Sequence, residues 1–238
     1  MKNIFALIKG EVIRLFKYKI MWFALALSLI WVLILSLSPE TEAKALMPYL
    51  LVMDTGLMSI ILLSSSFYYE KQENTIKSVF VAPVLVSQIL GAKIISSLLM
   101  SLASILLVGL TMLLVHGIVI NYLLAIIYVV LSTIAHIAIG YIIVFYSIDF
   151  ASFLMKYMGV VLILMLPTLL VLLQVIDAST EYLAMLSPSY AIQYLIGSLF
   201  ESKDLGKIFI CVADLIIIPA LLFPFVVYPK FKAYAVKG

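Results

Sequence analysis

Six apolar runs, each long enough to cross a bilayer, leave this chain few folds to choose from. They occupy residues 20–37, 46–69, 89–115, 122–146, 158–176 and 208–228. A helix rises about 1.5 Å per residue, so about 20 such residues cross ~30 Å of hydrocarbon. The runs are continuous rather than alternating. This favours helices over barrel strands, because a lone strand in lipid would leave its backbone N–H and C=O groups unpaired. Composition agrees: 66% of the 238 residues are hydrophobic and 11% are charged, and mean hydropathy is +1.26. A water-soluble domain is only about 45–50% apolar. The expected fold class is all-α, a polytopic membrane protein forming a single transmembrane domain over residues 1–238, with no room for a second, soluble domain.

The first run has a basic flank and is followed by Ser36 and Ser38, the outline of a secretory signal peptide. Its flank is long and contains Glu11, however, and the run is of spanning length, so it is expected to stay as an anchor. Lysine and arginine positions set the orientation. With the amino terminus cytoplasmic, Lys2, Lys9, Arg14, Lys17, Lys19, Lys71, Lys77, Lys93, Lys156, Lys230, Lys232 and Lys237 fall inside, and only Lys44, Lys203 and Lys207 fall outside. Twelve against three places both termini in the cytoplasm of a multi-pass cell (plasma) membrane protein, with a bacterial membrane as the expected setting. Anionic membrane lipid accounts for the net charge of +3 without a nucleic-acid partner.

Residues 1–19 carry a further pattern. Ile4, Phe5, Ile8, Val12, Leu15 and Phe16 fall in one arc of a helical wheel, with Lys2, Lys9, Arg14 and Lys17 mostly opposite. This suits an amphipathic helix lying in the inner interface, the alternative being a basic flank that only fixes topology. Residues 70–88 form a polar interruption between the second and third runs, on the inner side. Its apolar part, residues 76–86, contains Pro83 and is too short to cross, so it reads either as a cytoplasmic helix-turn seeking a protein surface or as a loop folded back on its own bundle.

The order Tyr69-Glu70-Lys71-Gln72-Glu73-Asn74-Thr75-Ile76, then Val81-Ala82-Pro83-Val84, then Leu90-Gly91-Ala92-Lys93 resembles the inner loop of type-2 ATP-binding-cassette (ABC) permeases. In that family an acidic residue and a Gly-Thr-Leu/Ile step precede a Thr/Ala-Pro-Val turn, and a Gly-Lys pair opens the next helix. Asn74 stands where Gly is usual, a mild departure because Asn tolerates left-handed backbone angles. Leu186-Ser187-Pro188-Ser189-Tyr190 is similar to the family's Asn-Pro-Leu-Thr-Tyr turn, which leads into an outer re-entrant helix. In this chain the short apolar stretch 191–200 follows that turn. It reads as an outer gate or as a loop helix without a gating role.

The resemblance implies a small six-helix half-transporter, an exporter subunit whose inner loop docks on a separate ABC ATP-binding subunit. It also implies a second permease, identical or paralogous, and alternating access of a path between the two halves. Glu70, Glu73, Thr75 and Pro83 are the expected ATPase-coupling residues, the acids pairing with basic groups on the ATPase. No G-x-x-x-x-G-K-[ST] loop occurs, so ATP and magnesium are expected on the partner, with no cofactor on this chain and no enzymatic activity of its own. Small family members suggest a hydrophobic drug, an antimicrobial peptide or a lipid-like molecule as cargo, moved outward.

Ionisable groups within spans are costly unless paired, protonated or wet. Asp54 and Asp214 lie about 10–12 Å from the outer ends of their helices, within reach of one outer cavity. Together with His136 they are the substrate-path candidates. The competing reading makes the acids hydrogen-bonding groups between helices and His136 likewise. No His, Cys or acid cluster has metal-ligand spacing. Ser64–Ser66, Ser96, Ser97, Ser101 and Ser104 read as small packing residues, and Pro167, Pro219 and Pro224 as kinks. Cys211 stands alone. An intramembrane enzyme is disfavoured by the absence of G-x-S-x-G and H-E-x-x-H. An ATPase-independent secondary carrier or a membrane sensor subunit remains the alternative.

Overall fold

The computed structural model describes residues 2–73, 84–175 and 180–237, and these contain helices and no strands. An amino-terminal helix, Lys2–Lys17, ends at Lys19, whose left-handed backbone (φ 61°) turns the chain into the first span, Ile20–Leu37. Five further spans follow: Glu40–Gln72, Val86–His116, Tyr122–Phe145, Phe150–Leu172 and Leu205–Ala233. Six antiparallel crossings return both chain ends to one face of the bundle.

Local chemistry sets the limits of the spans, and several differ from those expected of the apolar runs. The second span starts at Glu40, not at residue 46. Pro39 precedes it, and Glu40 and Glu42 in its first turn favour the helix N-terminus. The third starts at Val86, where the Gln88 side chain accepts from the Leu85 N–H at 3.0 Å. It ends on Gly117 (φ 67°), with the Ile118 N–H reaching the Met112 carbonyl at 3.0 Å, a stop that favours a residue without a Cβ. The fifth starts at Phe150 rather than residue 158. Asp149 caps it by accepting from the Ser152 N–H at 2.7 Å, and the Lys156 ammonium reaches back to the Tyr146 carbonyl, so its charge sits near the bundle face. Asp204 caps the sixth through the Gly206 N–H at 2.7 Å. A hydropathy run records none of these caps, since it sees only where polar residues stop.

The second span is mostly buried, whereas the first, fifth and sixth turn most of their residues outward. It packs along the third and fourth spans, and the amino-terminal helix lies against the third. Its own helix is interrupted. Pro48, inside it, lacks an N–H, and residues Val52–Leu57 form a π-helical turn. A ten-residue helix, Pro188–Gly197, is buried among the second, fourth, fifth and sixth spans, with Pro188 in its first turn. The wheel arc of the amino-terminal helix divides: Leu15 is buried and Val12 packs beside it, while Phe5 and Phe16 face outward.

Candidate functional site

Two polar assemblies occupy an otherwise apolar bundle. The first is a seam through its middle, centred on the π-helical turn. Asp54, 6% exposed, accepts from the hydroxyls of Ser28 on the first span (2.6 Å) and Ser104 on the third. A π-helical turn disturbs the i→i−4 ladder and frees carbonyls for side-chain donors. The Thr55 carbonyl accepts from Ser101 (3.4 Å) and Thr133 (3.2 Å), and Thr133 also donates to Ser101 at 2.9 Å. The Leu57 carbonyl accepts from the Tyr157 hydroxyl at 3.3 Å. His136, fully buried, touches Gly56 so closely that a Cβ there would lie 3.0 Å from the ring. Its Nδ1 lies 2.8 Å from the Ser132 carbonyl and its Nε2 3.1 Å from Ser189 Oγ on the short helix. Five spans and the short helix thus meet through hydroxyls, one carboxyl and one imidazole.

The second assembly lies on the face that carries the termini. Lys93, fully buried, places its Nζ 2.8 Å from Glu11 Oε1, from Glu70 Oε2 and from the Ser66 hydroxyl. Ser66 donates to Glu11 at 2.6 Å, and Arg14 pairs with Glu70. Two carboxylates and two cations therefore close on one another. Burial pushes the Glu11 carboxyl up, but Lys93 and Arg14 hold it well below the ordinary carboxylate range. Farther out, Lys17 Nζ lies 3.5 Å from Glu73 Oε1, and the rings of Tyr18 and Tyr69 stack at 4.0 Å. A cavity of about 210 Å³ adjoins the cluster, lined in part by Glu11, Arg14 and Glu70. The amino-terminal helix is thereby fastened to the end of the second span and the start of the third, on either side of residues 74–83.

Residues 7–123 match the family model described as ABC-2 family transporter protein. Through this region, about half of its length, the chain is similar to the ABC-2 transporter family. The matched residues hold the whole charge cluster and the Ser28, Asp54, Ser101 and Ser104 part of the seam. An ABC-2 membrane component implies a partner subunit that binds ATP. A search of curated proteins finds no match.

The ABC-2 residues expected from sequence fall into three groups. Thr75 and Pro83, half of the coupling set, lie outside the described residues. Glu73 is half-exposed near Lys17, but Glu70, expected to face basic groups on an ATPase, is 4% exposed and faces Arg14 and Lys93 of its own chain. Its charge is answered internally because a carboxylate on the inward side of a span end is stable only beside cations. Asp54 and His136 both belong to the central seam. Asp54 and Asp214 meet different neighbours: Asp54 bridges the first and third spans, while Asp214 lies on the sixth, which packs on the fourth span and the short helix. Asp214 Oδ2 is buried and has no hydrogen-bond partner among the described residues. No group of three or more His, Cys, Asp or Glu residues is placed to hold a metal among the described residues.

In the sequence Ser101 and Ser104 read as packing residues and Glu11 as a mark against a signal peptide. The available signal was Glu11 and Arg14 at helical spacing on an otherwise apolar strip, together with Lys93 inside a span. A buried lysine needs carboxylates, and among the described residues Glu11 and Glu70 supply them from neighbouring elements.

Proposed function

We propose that this chain is the permease half of an ABC exporter, moving a hydrophobic or amphiphilic molecule outward by alternating access and driven by a separate ATPase. The match of residues 7–123 to the ABC-2 family carries the reading, and the construction around the inner loop supports it. Force applied at residues 74–83 reaches both flanks of the loop, because Glu70 and Lys93 pair directly at 2.8 Å and share Glu11 of the amino-terminal helix. The second span then carries the displacement to the π-helical turn. There Asp54 and the Thr55 carbonyl hold the first, third and fourth spans through hydroxyl bonds. Such bonds can be exchanged at small cost, which suits a joint between helical halves that re-angle. Glu73, Thr75 and Pro83 remain the residues proposed to meet the ATPase, with Glu70 supporting them from within. The path forms between this permease and a second copy or a paralogue, and both termini lie in the cytoplasm.

The test is reconstitution in nanodiscs with a phosphate-loop ATPase that co-purifies with the chain. ATP hydrolysis is expected to rise with hydrophobic cationic compounds, and a Glu73→Ala, Thr75→Ala double substitution is expected to weaken that stimulation without loss of assembly. Full transport by the chain in vesicles that lack any ATPase would overturn the proposal.

A further inference from the structure

On the bundle face opposite the termini, a cavity of about 380 Å³ opens between the start of the second span, the end of the fifth and the exit of the buried short helix. Its lining residues stand at span ends: Lys44 and Pro48 early in the second, Leu172 last in the fifth, and Lys203 just before the sixth. Span ends mark the depth of lipid head groups. The walls are mixed, with Leu172, Pro48 and Phe200 on the apolar side and Lys44, Lys203 and the exposed Glu201 on the polar side.

Lys203 is the unusual member. Three lysines occupy this face, and two are paired, Lys44 with Glu40 at 2.6 Å and Lys207 with Glu181. Among the described residues no carboxylate lies within ion-pair distance of Lys203. Its ammonium is half-buried, packed 4.5 Å from the centre of the Tyr194 ring and against Gly197. A Cβ at Gly197 would stand 2.8 Å from Lys203 Nζ, so the missing side chain is what lets the lysine tip lie there. Burial pulls this ammonium below the ordinary lysine range, a cost that an anion in the cavity would offset.

We propose that the cavity seats the phosphate head group of a phospholipid from the adjoining leaflet, held by the Lys203 ammonium, with its acyl chains along the outward face of the fifth span. The volume suits a head group and not a whole lipid. Leu169, Leu172 and Leu173 continue from it as an exposed apolar strip where chains can lie. Glu201 at the mouth faces the outer end of the head group, where a glycerol hydroxyl or an ethanolamine ammonium would meet it. The site requires only that the chain sits in a bilayer, and is independent of the cargo the permease moves.

The test uses the full chain in mild detergent, with retained lipid counted by native mass spectrometry after stepwise delipidation. The probes are phosphatidylglycerol and phosphatidylethanolamine, with a galactosyl diacylglycerol as the phosphate-free lipid and glycerophosphate as the free head group. One phospholipid is expected to resist removal, and Lys203→Gln is expected to weaken its retention about tenfold, the scale of one charge-assisted contact. Gly197→Ala, which displaces the lysine tip, should do the same if Lys203→Gln does not fold. Lys207→Gln should leave retention unchanged, as should excess glycerophosphate. Equal retention by the wild type and both site variants would overturn the proposal, as would equal retention of the galactolipid. Displacement by glycerophosphate would also overturn it, by assigning the site to a soluble phosphate compound.

Discussion

At the scale of single residues, the buried cluster decides more of this molecule's behaviour than its size suggests. Lys93 is the cation that Glu11 and Glu70 share, each at 2.8 Å. Removing one partner of a buried ion pair leaves an uncompensated charge in a poor solvent, at a cost of about 3–5 kcal/mol. Lys93→Met is therefore expected to lower the unfolding midpoint in detergent sharply. The triple variant Glu11→Gln, Glu70→Gln, Lys93→Met should recover much of that loss, because the three deeply buried charges go together and the Arg14 left behind is partly exposed; a triple variant as unstable as the single one would count against this account. The pH dependence has a definite sign. Glu11 is held below its unfolded value, so its contribution is full above the ordinary carboxylate range and fades as pH falls through that range toward the folded value. The second half of this prediction is a midpoint that drops in acid for the wild type and changes less in the triple variant. The sequence displayed all of these charges yet pointed Glu70 outward, since its partners stand 56 and 23 positions away along the chain and only the packing of three elements brings them to it.

At the scale of elements, the apolar runs predict the number and order of the spans because the cost of unpaired backbone in lipid allows little else. What the runs conceal is the break within the second span. Pro48 and Gly56 are visible, but a π-helical turn differs from an ordinary helix by a shift of its hydrogen bonds, and neither residue alone demands it. The consequence is the Thr55 carbonyl, which takes the hydroxyls of Ser101 and Thr133 from two other spans. Hydroxyl bonds between membrane helices contribute about 0.6 kcal/mol on average and at most about 1.7. Ser101→Ala and Thr133→Val should each fall in that range. Because Thr133 also donates to Ser101 at 2.9 Å, the pair should show coupling in a double-mutant cycle read by unfolding in mixed micelles. Strict additivity would mean that the two hydroxyls act separately and that the turn is not held as one joint.

For the whole molecule, six crossings put Lys9, Lys71, Lys156 and Lys230 toward one face, and Lys44, Lys203 and Lys207 toward the other. Pairings across the bundle agree with this division. Lys71 donates to the Ile148 carbonyl at 2.7 Å on the face of the termini, whereas His116 Nε2 lies 2.8 Å from the Leu35 carbonyl on the opposite face. The structure alone has no inside or outside; the lysine count supplies it, since basic flanks are retained in the cytoplasm. The two together make a prediction that neither makes separately. In a variant with Cys211 replaced by Ala, single cysteines at Lys44 and Glu201 should react with a membrane-impermeant maleimide on intact cells. Cysteines at Lys9 and Lys71 should react only after the membrane is opened. The reverse pattern would place residues 74–83 outside the cell, where no ATPase could press on them, and the charge cluster behind that segment would then be a structural fastening with no force to transmit.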